Sequence, residues 1–130
     1  MTPISDVMRR EFITVAPEDT LGEVAQKMVD LNTGSAVVKD FGRLIGILTE
    51  RDLLKAMAGR VHTSDARVRE WMTADPITAA PEMSVDEAAQ IMLDNGFRHI
   101  PVVERDGVVG VVSLRQAVAA QMGAQLPDSA

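Results

Sequence analysis

Two short stretches of the chain hold residues whose types and spacing could do chemistry. Gly46-Ile47-Leu48-Thr49-Glu50-Arg51-Asp52 reads as the end of a buried strand running straight into the first turn of a helix. Thr49 is placed to cap that helix, its hydroxyl accepting from a free backbone N–H in the first turn. Asp52 falls one turn in, its carboxylate aimed back toward the strand edge. An ionised carboxylate there can accept from two vicinal hydroxyls at once, which a neutral amide does less well. The same frame returns 64 positions later as Gly110-Val111-Val112-Ser113-Leu114-Arg115-Gln116. Ser113-x-x-Gln116 has the form of a capping box and needs no ligand to explain it. Thr49-x-x-Asp52 can also be read as a cap alone, so both readings stay open at Asp52.

Other chemistry finds no constellation. The chain has no cysteine, hence no thiolate metal site, disulfide or cysteine nucleophile. No two histidines stand at metal spacing, and no carboxylates cluster on one face. Ser113 and His99 could be imagined as nucleophile and base, but no third group is indicated. A phosphate-cradling Gly-x-x-x-x-Gly-Lys loop is missing too. The residues therefore point away from an enzyme and from a metal site. A net charge of −6 argues against general nucleic-acid binding, though a few local arginines could still hold a small anion. No window approaches the roughly 20 apolar residues of a membrane span, and the first residues do not form a signal peptide. The expectation is a soluble, cytoplasmic protein.

The elements that must position these residues follow from local pattern. Pro3 to Met8 reads as a short helix capped by Thr2, and Phe12 to Val15 as a short strand. Thr20-x-x-Glu23 is a capping box opening a helix with the apolar stripe Leu21, Val24, Ala25, Met28. Ser35 to Lys39 and Leu44 to Leu48 are strands joined by a turn at Asp40-Phe41-Gly42-Arg43. A second helix runs from Thr49 to about Ala58, and Gly59 ends it. Met28, Met57, Met92 and Met122 sit at helical spacing and read as packing residues.

A shift of 64 repeats all of this. Met72 answers Met8, and Pro76-Ile77-Thr78-Ala79 answers the first strand. Ser84-x-x-Glu87 repeats the capping box, and Val85, Ala88, Ala89, Met92 the stripe. The hairpin strands are Ile100 to Val103 and Val108 to Val112, turning through Arg105-Asp106-Gly107, and Ser113 to Met122 closes the copy. From Met8 to Gly59 the register holds without a gap, with about a third of positions identical. This is a tandem duplication of a β-α-β-β-α unit, an α/β fold class. The expected boundaries are 6–59 for the first copy, 60–66 for a polar linker, 67–123 for the second copy and 124–130 for a flexible tail. The core is built from Val, Ile, Leu, Ala and Met, since aromatics are only 3% of the chain.

A tandem pair whose last strands end in Gly-φ-φ-Thr/Ser-x-x-Asp, φ being apolar, resembles the cystathionine β-synthase (CBS) domain pair. Ile13-Thr14, Ile77-Thr78, the Asn32-Thr33-Gly34-Ser35-Ala36-Val37-Val38 segment and Gly96-Phe97-Arg98-His99-Ile100-Pro101-Val102-Val103 carry the likeness further. It spans about residues 6 to 122. The resemblance implies two motifs packed sheet to sheet about a pseudo-twofold axis. Clefts between them would bind AMP, ADP, ATP or S-adenosylmethionine. It implies ligand contacts at Thr49, Asp52, Gly34, Ser35, Ile77, Thr78, Arg98, His99, Ile100 and Pro101. Thr49 and Asp52 would hold the ribose, apolar strand residues would sandwich the adenine, and Arg98 or His99 would meet phosphate. A weaker second cleft would use Thr14, Ser113 and Gln116, with Gln116 departing from the family's aspartate.

Structural alternatives stand beside several of these. His99 could be an ordinary strand residue, Arg98 a solvated edge charge, and Thr14 and Thr78 simple strand formers. Arg51 and Arg115 are expected to face solvent. Val29, Leu31, Ile91 and Leu93 widen the apolar faces of the stripe helices and imply self-association, with a homodimer expected. The main functional reading is a regulatory module that senses an adenosine compound and reports to an effector protein. The alternative is a ligand-free module for dimerisation or docking.

Overall fold

The computed structural model describes residues 1–105, 107–124 and 126. Asp106 of the second hairpin turn and most of the expected 124–130 tail lie outside the described residues. The chain folds as two compact units. These units cut across the sequence repeat. One unit is Phe12–Pro76, and the other joins Met1–Glu11 to the chain from Ile77 onward.

In the Phe12–Pro76 unit, β1 (Ile13–Val15), β2 (Ser35–Asp40), β3 (Arg43–Thr49) and β4 (Thr73–Ala74) form one sheet in that order. β1 runs parallel to β2, and the remaining pairs are antiparallel. Helices α1 (Leu21–Leu31), α2 (Glu50–Ala58) and the short α3 (Val68–Trp71) complete it. Alternation along the strands sends Ala36, Val38 and Leu48 into a core with Leu21, Val24, Met28 and Val68. Val37 and Ile47, cross-strand partners on the opposite face, are buried as well. The 60–66 segment is not a free linker here: Gly22 N–H donates to the Thr63 carbonyl (2.9 Å) and Leu21 N–H to Ala66 (3.0 Å).

α1 opens as its sequence predicts. Glu23 N–H donates to Thr20 Oγ1 (3.2 Å), and Thr20 N–H returns the bond to Glu23 (3.2 Å). Hydrogen bonds from the Thr20 hydroxyl and backbone hold the Glu23 carboxyl below its ordinary range. The helix ends at Asn32 in the left-handed region.

The second unit repeats the plan with α4 (Val85–Asn95), β5 (His99–Glu104), β6 (Gly107–Ser113) and α5 (Leu114–Gln121). Its sheet is the β5–β6 hairpin, flanked by single bridges, Ala79 parallel to Val102 and Arg9 antiparallel to Val111. The strand expected over Pro76–Ala79 is thus reduced to one residue, for a chemical reason. The parallel bridge uses Ala79 N–H to the Pro101 carbonyl and Val103 N–H to Ala79. Two residues earlier, the corresponding donor to the Ile77 carbonyl would be the N–H of Pro101, which does not exist. In the first unit that position is Val37, and the ladder is longer.

The expected helix over Pro3–Met8 is also corrected. Only a 3-10 turn, Ile4–Asp6, forms, with Pro3 rather than Thr2 as its cap. Ile4 N–H donates to the Met83 carbonyl and Ser5 N–H to Pro81, bonds that tie the segment to its unit. Ile4 is fully buried in the core there.

Leader segments therefore cross the repeat boundary in both directions. Residues 1–11, at the start of the first copy, pair with β6 of the second through Arg9; Thr73 and Ala74, near the start of the second, pair with β3 of the first. Each pairing needs a glycine. A Cβ on Gly46 would meet Met72 Sδ at 2.6 Å and the Thr73 carbonyl oxygen at 3.0 Å. A Cβ on Gly110 would meet Met8 Sδ at 2.7 Å and the Arg9 carbonyl oxygen at 3.0 Å.

Two packing expectations change. Met28 and Met92 are buried, but Met57 and Met122 are 68% and 77% exposed. Leu31 and Ile91 pack against their own cores, whereas Val29 (73%) and Leu93 (62%) face outward. Leu54 and Met57 on α2, with Val118 on α5, are further exposed apolar side chains.

Gly46→Ala and Gly110→Ala should each destabilise the protein by about 1–3 kcal/mol, because the methionine can swing away but the paired carbonyl cannot. Gly107→Ala, where a Cβ meets nothing within 4 Å, should be near neutral. Thermal denaturation of the three variants checks this; equal melting temperatures would show that the leaders yield without cost.

Candidate functional site

In the Phe12–Pro76 unit the candidate residues gather where β3 runs into α2. Thr49 keeps extended backbone as the N-cap of α2, and Asp52 is the third helical residue. Asp52 Oδ2 accepts from the Thr49 amide (2.9 Å) and from the Thr49 hydroxyl (3.1 Å). The expected bond is thus reversed at the hydroxyl: it donates to Asp52. Ser35, the one buried polar residue among the described residues, is the cross-strand partner of Thr49. Gly34 places its carbonyl on the Glu50 amide (3.1 Å). The fold thus brings Gly34, Ser35, Thr49 and Asp52 to one end of the β2–β3 hairpin. Thr14 stands apart on β1, exposed, paired with Val37.

No hydrogen bond among the described residues reaches Asp52 Oδ1. A carboxylate offers about four lone-pair sites, and the cap uses two of them. The two that remain suit a pair of neighbouring hydroxyls, and the side chain is half-buried, where such bonds are less exposed to competition from water.

The second unit shows the same junction with different chemistry. Gln116 N–H donates to Ser113 Oγ (3.1 Å), and Ser113 N–H donates to Gln116 Oε1 (2.8 Å), the complete capping box. His99 is the cross-strand partner of Ser113, and the Arg98 carbonyl accepts from the Leu114 amide (2.9 Å). Arg98 is exposed and His99 half-buried. Ile100 is fully buried in the unit's core. Pro101 is fully buried on the other face, while Ile77 and Thr78 are exposed on the approach to Ala79. Among the described residues no group of three or more His, Asp or Glu could hold a metal. No described helix is long and apolar enough to cross a membrane.

Comparison with known proteins fits this geometry. The family model described as the CBS domain matches twice, at residues 4–59 and 68–123. The CBS domain-containing protein YhcV of Bacillus subtilis is 31% identical over 130 residues, covering all of this chain and 93% of its own. The crystal structure of the CBS-domain protein ATU1752 from Agrobacterium tumefaciens superposes with a TM-score of 0.85 at 33% identity, over 92% of this chain and 99% of that one. The CBS domain pair of protein MJ0100, solved in complex with 5-methylthioadenosine and S-adenosyl-L-methionine, superposes with a TM-score of 0.82 at 28% identity, over 95% and 97%. CBS pairs are regulatory, ligand-binding modules. Two matches in tandem, over a fold that repeats the same strand–helix junction, make this chain a member of the CBS domain family, carrying a pair of such domains.

Proposed function

We propose that the protein is a cytoplasmic regulatory module that binds an adenosine compound through Thr49 and Asp52 and reports its occupancy to an effector protein. The observation that carries this reading is the unspent half of the Asp52 carboxylate beside a capped helix start. Likeness to a pair solved with two adenosyl ligands supports the ligand class. In this reading the ribose diol meets Asp52, and AMP, ADP, ATP and S-adenosylmethionine share that feature. Gly34 and Ser35, at the same hairpin end as Thr49 and Asp52, are the further proposed contacts. The module does no catalysis, since no residue in the proposed set activates water, so bound ATP should be recovered intact after incubation and chromatography.

We also propose a homodimer through the exposed helix faces, in which Val29, Leu54 and Met57 take part with Leu93 and Val118. Light scattering at micromolar concentration should then give twice the 14.0 kDa of one chain. A stable monomer would refute that contact.

Asp52→Ala deletes hydrogen bonds to a charged group, each worth roughly 1.5–3 kcal/mol. It should weaken AMP binding by about ten- to a hundredfold. The fold should persist, because the lost cap is worth only about 1 kcal/mol. On wild-type protein the 2′-deoxy nucleotide should lose a similar amount, with little further loss on the variant. Titration calorimetry reads both, and should find one site per chain at which the diol matters. A capping residue cannot sense a hydroxyl on the ligand, so equal affinity for ribo- and deoxyribonucleotides would return Asp52 to the helix.

A further inference from the structure

The Phe12–Pro76 unit carries two features that the Asp52 reading does not use. The first is the tip of the β2–β3 hairpin. Asp40 pairs with Arg43 across it, and the residues between, Phe41 (φ 51°) and Gly42 (φ 77°), both take left-handed backbone. That is the pattern of a type I′ turn, whose first central position favours asparagine, aspartate or glycine. A bulky side chain is sterically out of place there, and the Phe41 ring is left in solvent, 97% exposed. The second copy has Arg105 at the equivalent position with similar backbone (φ 48°), so the turn itself does not call for a ring. Lys39 and Arg43 flank the ring, and among the described residues no carboxylate pairs with either. Even with Asp40 between them, the tip is net positive.

The second feature is a cavity of about 540 Å³. Its apolar lining is Ala66, which belongs to the unit's core, with Val61 and Trp71, which pack against that core. His62, Asp65 and Glu70 complete the lining. These walls are already held in place: Val61 N–H donates to the Ala56 carbonyl (3.3 Å) and Ala66 N–H to His62 (2.9 Å). Among the described residues nothing donates to the Asp65 carboxylate, and Glu70 spends one oxygen on the Arg67 amide (2.9 Å). The neighbouring cation Arg69 is paired with Glu18 (2.6 Å). The cavity is thus an apolar hole with a negative rim, complementary to the tip in polarity and in charge.

We propose that this cavity receives Phe41 of a second copy of the chain, with the ring against Trp71 and Val61 and with Lys39 and Arg43 beside Asp65 and Glu70. Burial of the ring supplies the attraction, and the charges set the orientation. Tip and cavity lie in the same unit, so every copy offers both a knob and a hole. The contact is either reciprocal within a pair or runs on from copy to copy. It uses neither Asp52 nor the helix faces of the proposed homodimer, and it is tested apart from both.

Trp71, the chain's one tryptophan, is the probe. As the full chain is concentrated from micromolar to millimolar, its emission should shift to the blue and sedimentation should show a rising mass. Phe41→Asn should fold at least as well as wild type, because asparagine suits the turn. In dilute solution its emission should match wild type, yet the shift and the rise in mass should both be lost. Arg43→Glu should weaken the assembly about tenfold, and adding Asp65→Arg should restore it. Where the helix-face dimer forms, these changes come on top of it, and Phe41→Asn leaves it at two chains. Wild-type emission and mass that do not change with concentration would overturn the proposal. So would changes of equal size in Phe41→Asn, or no recovery in the Arg43→Glu, Asp65→Arg double variant.

Discussion

The constraint on which the rest depends is the close approach of each leader to the last strand of the other copy. Arg9 bridges Val111, and Thr73 pairs with Ile47, at equivalent positions of the two units. Gly110 and Gly46 lie beside these pairings, and the sulfur atoms of Met8 and Met72 fill the space a side chain would take. Without its borrowed leader, the sheet of each unit would expose the edge of β3 or β6 and lose buried side chains such as Ile4 and Val68. A single copy of about 50 residues buries too little surface to stand easily alone. Exchange completes the sheet of each unit with the leader of the other copy.

Much of this is legible in the sequence because it is local. The capping box at Thr20, the Ser84 side-chain cap on the Glu87 amide and the stripes of α1 and α4 involve residues within one or two turns, so spacing alone reports them. Leader exchange is different. Residues 1–11 show no periodicity, and their partners lie about a hundred positions away, so no local pattern announces the pairing. Met8 and Met72 were visible as a repeated pair, but not what they pack against. Pro101 carried a usable signal, since a proline replacing Val37 removes a ladder donor, yet only the observed register says which bond is lost.

The same limit governs the helix faces and the candidate site. Helical spacing places Met57 and Met122 on a stripe but does not say which side of the helix meets the core, and both turned out exposed. Thr49 and Asp52 could be read together because they fall within one helical turn, but Ser35 opposite Thr49 does not follow from the hairpin turn, since a register shift between Val38 and Lys39 moves Ser35 from Leu48 to Thr49.

The two junctions show how a structural duty can leave chemistry free to diverge. Starting a helix after β3 or β6 requires one side-chain oxygen at the third helical position, to accept the N-cap amide. Asp52 and Gln116 both supply it, at 2.9 and 2.8 Å, so the backbone does not distinguish them. What the cap leaves over is opposite in kind: a charged acceptor in one copy, a neutral donor in the other. Substitution between these residues therefore costs the fold little while inverting what the site asks of a ligand. In a duplicated chain, the first place to look for divergent function is such a position, where the fold uses only one of a side chain's two polar atoms.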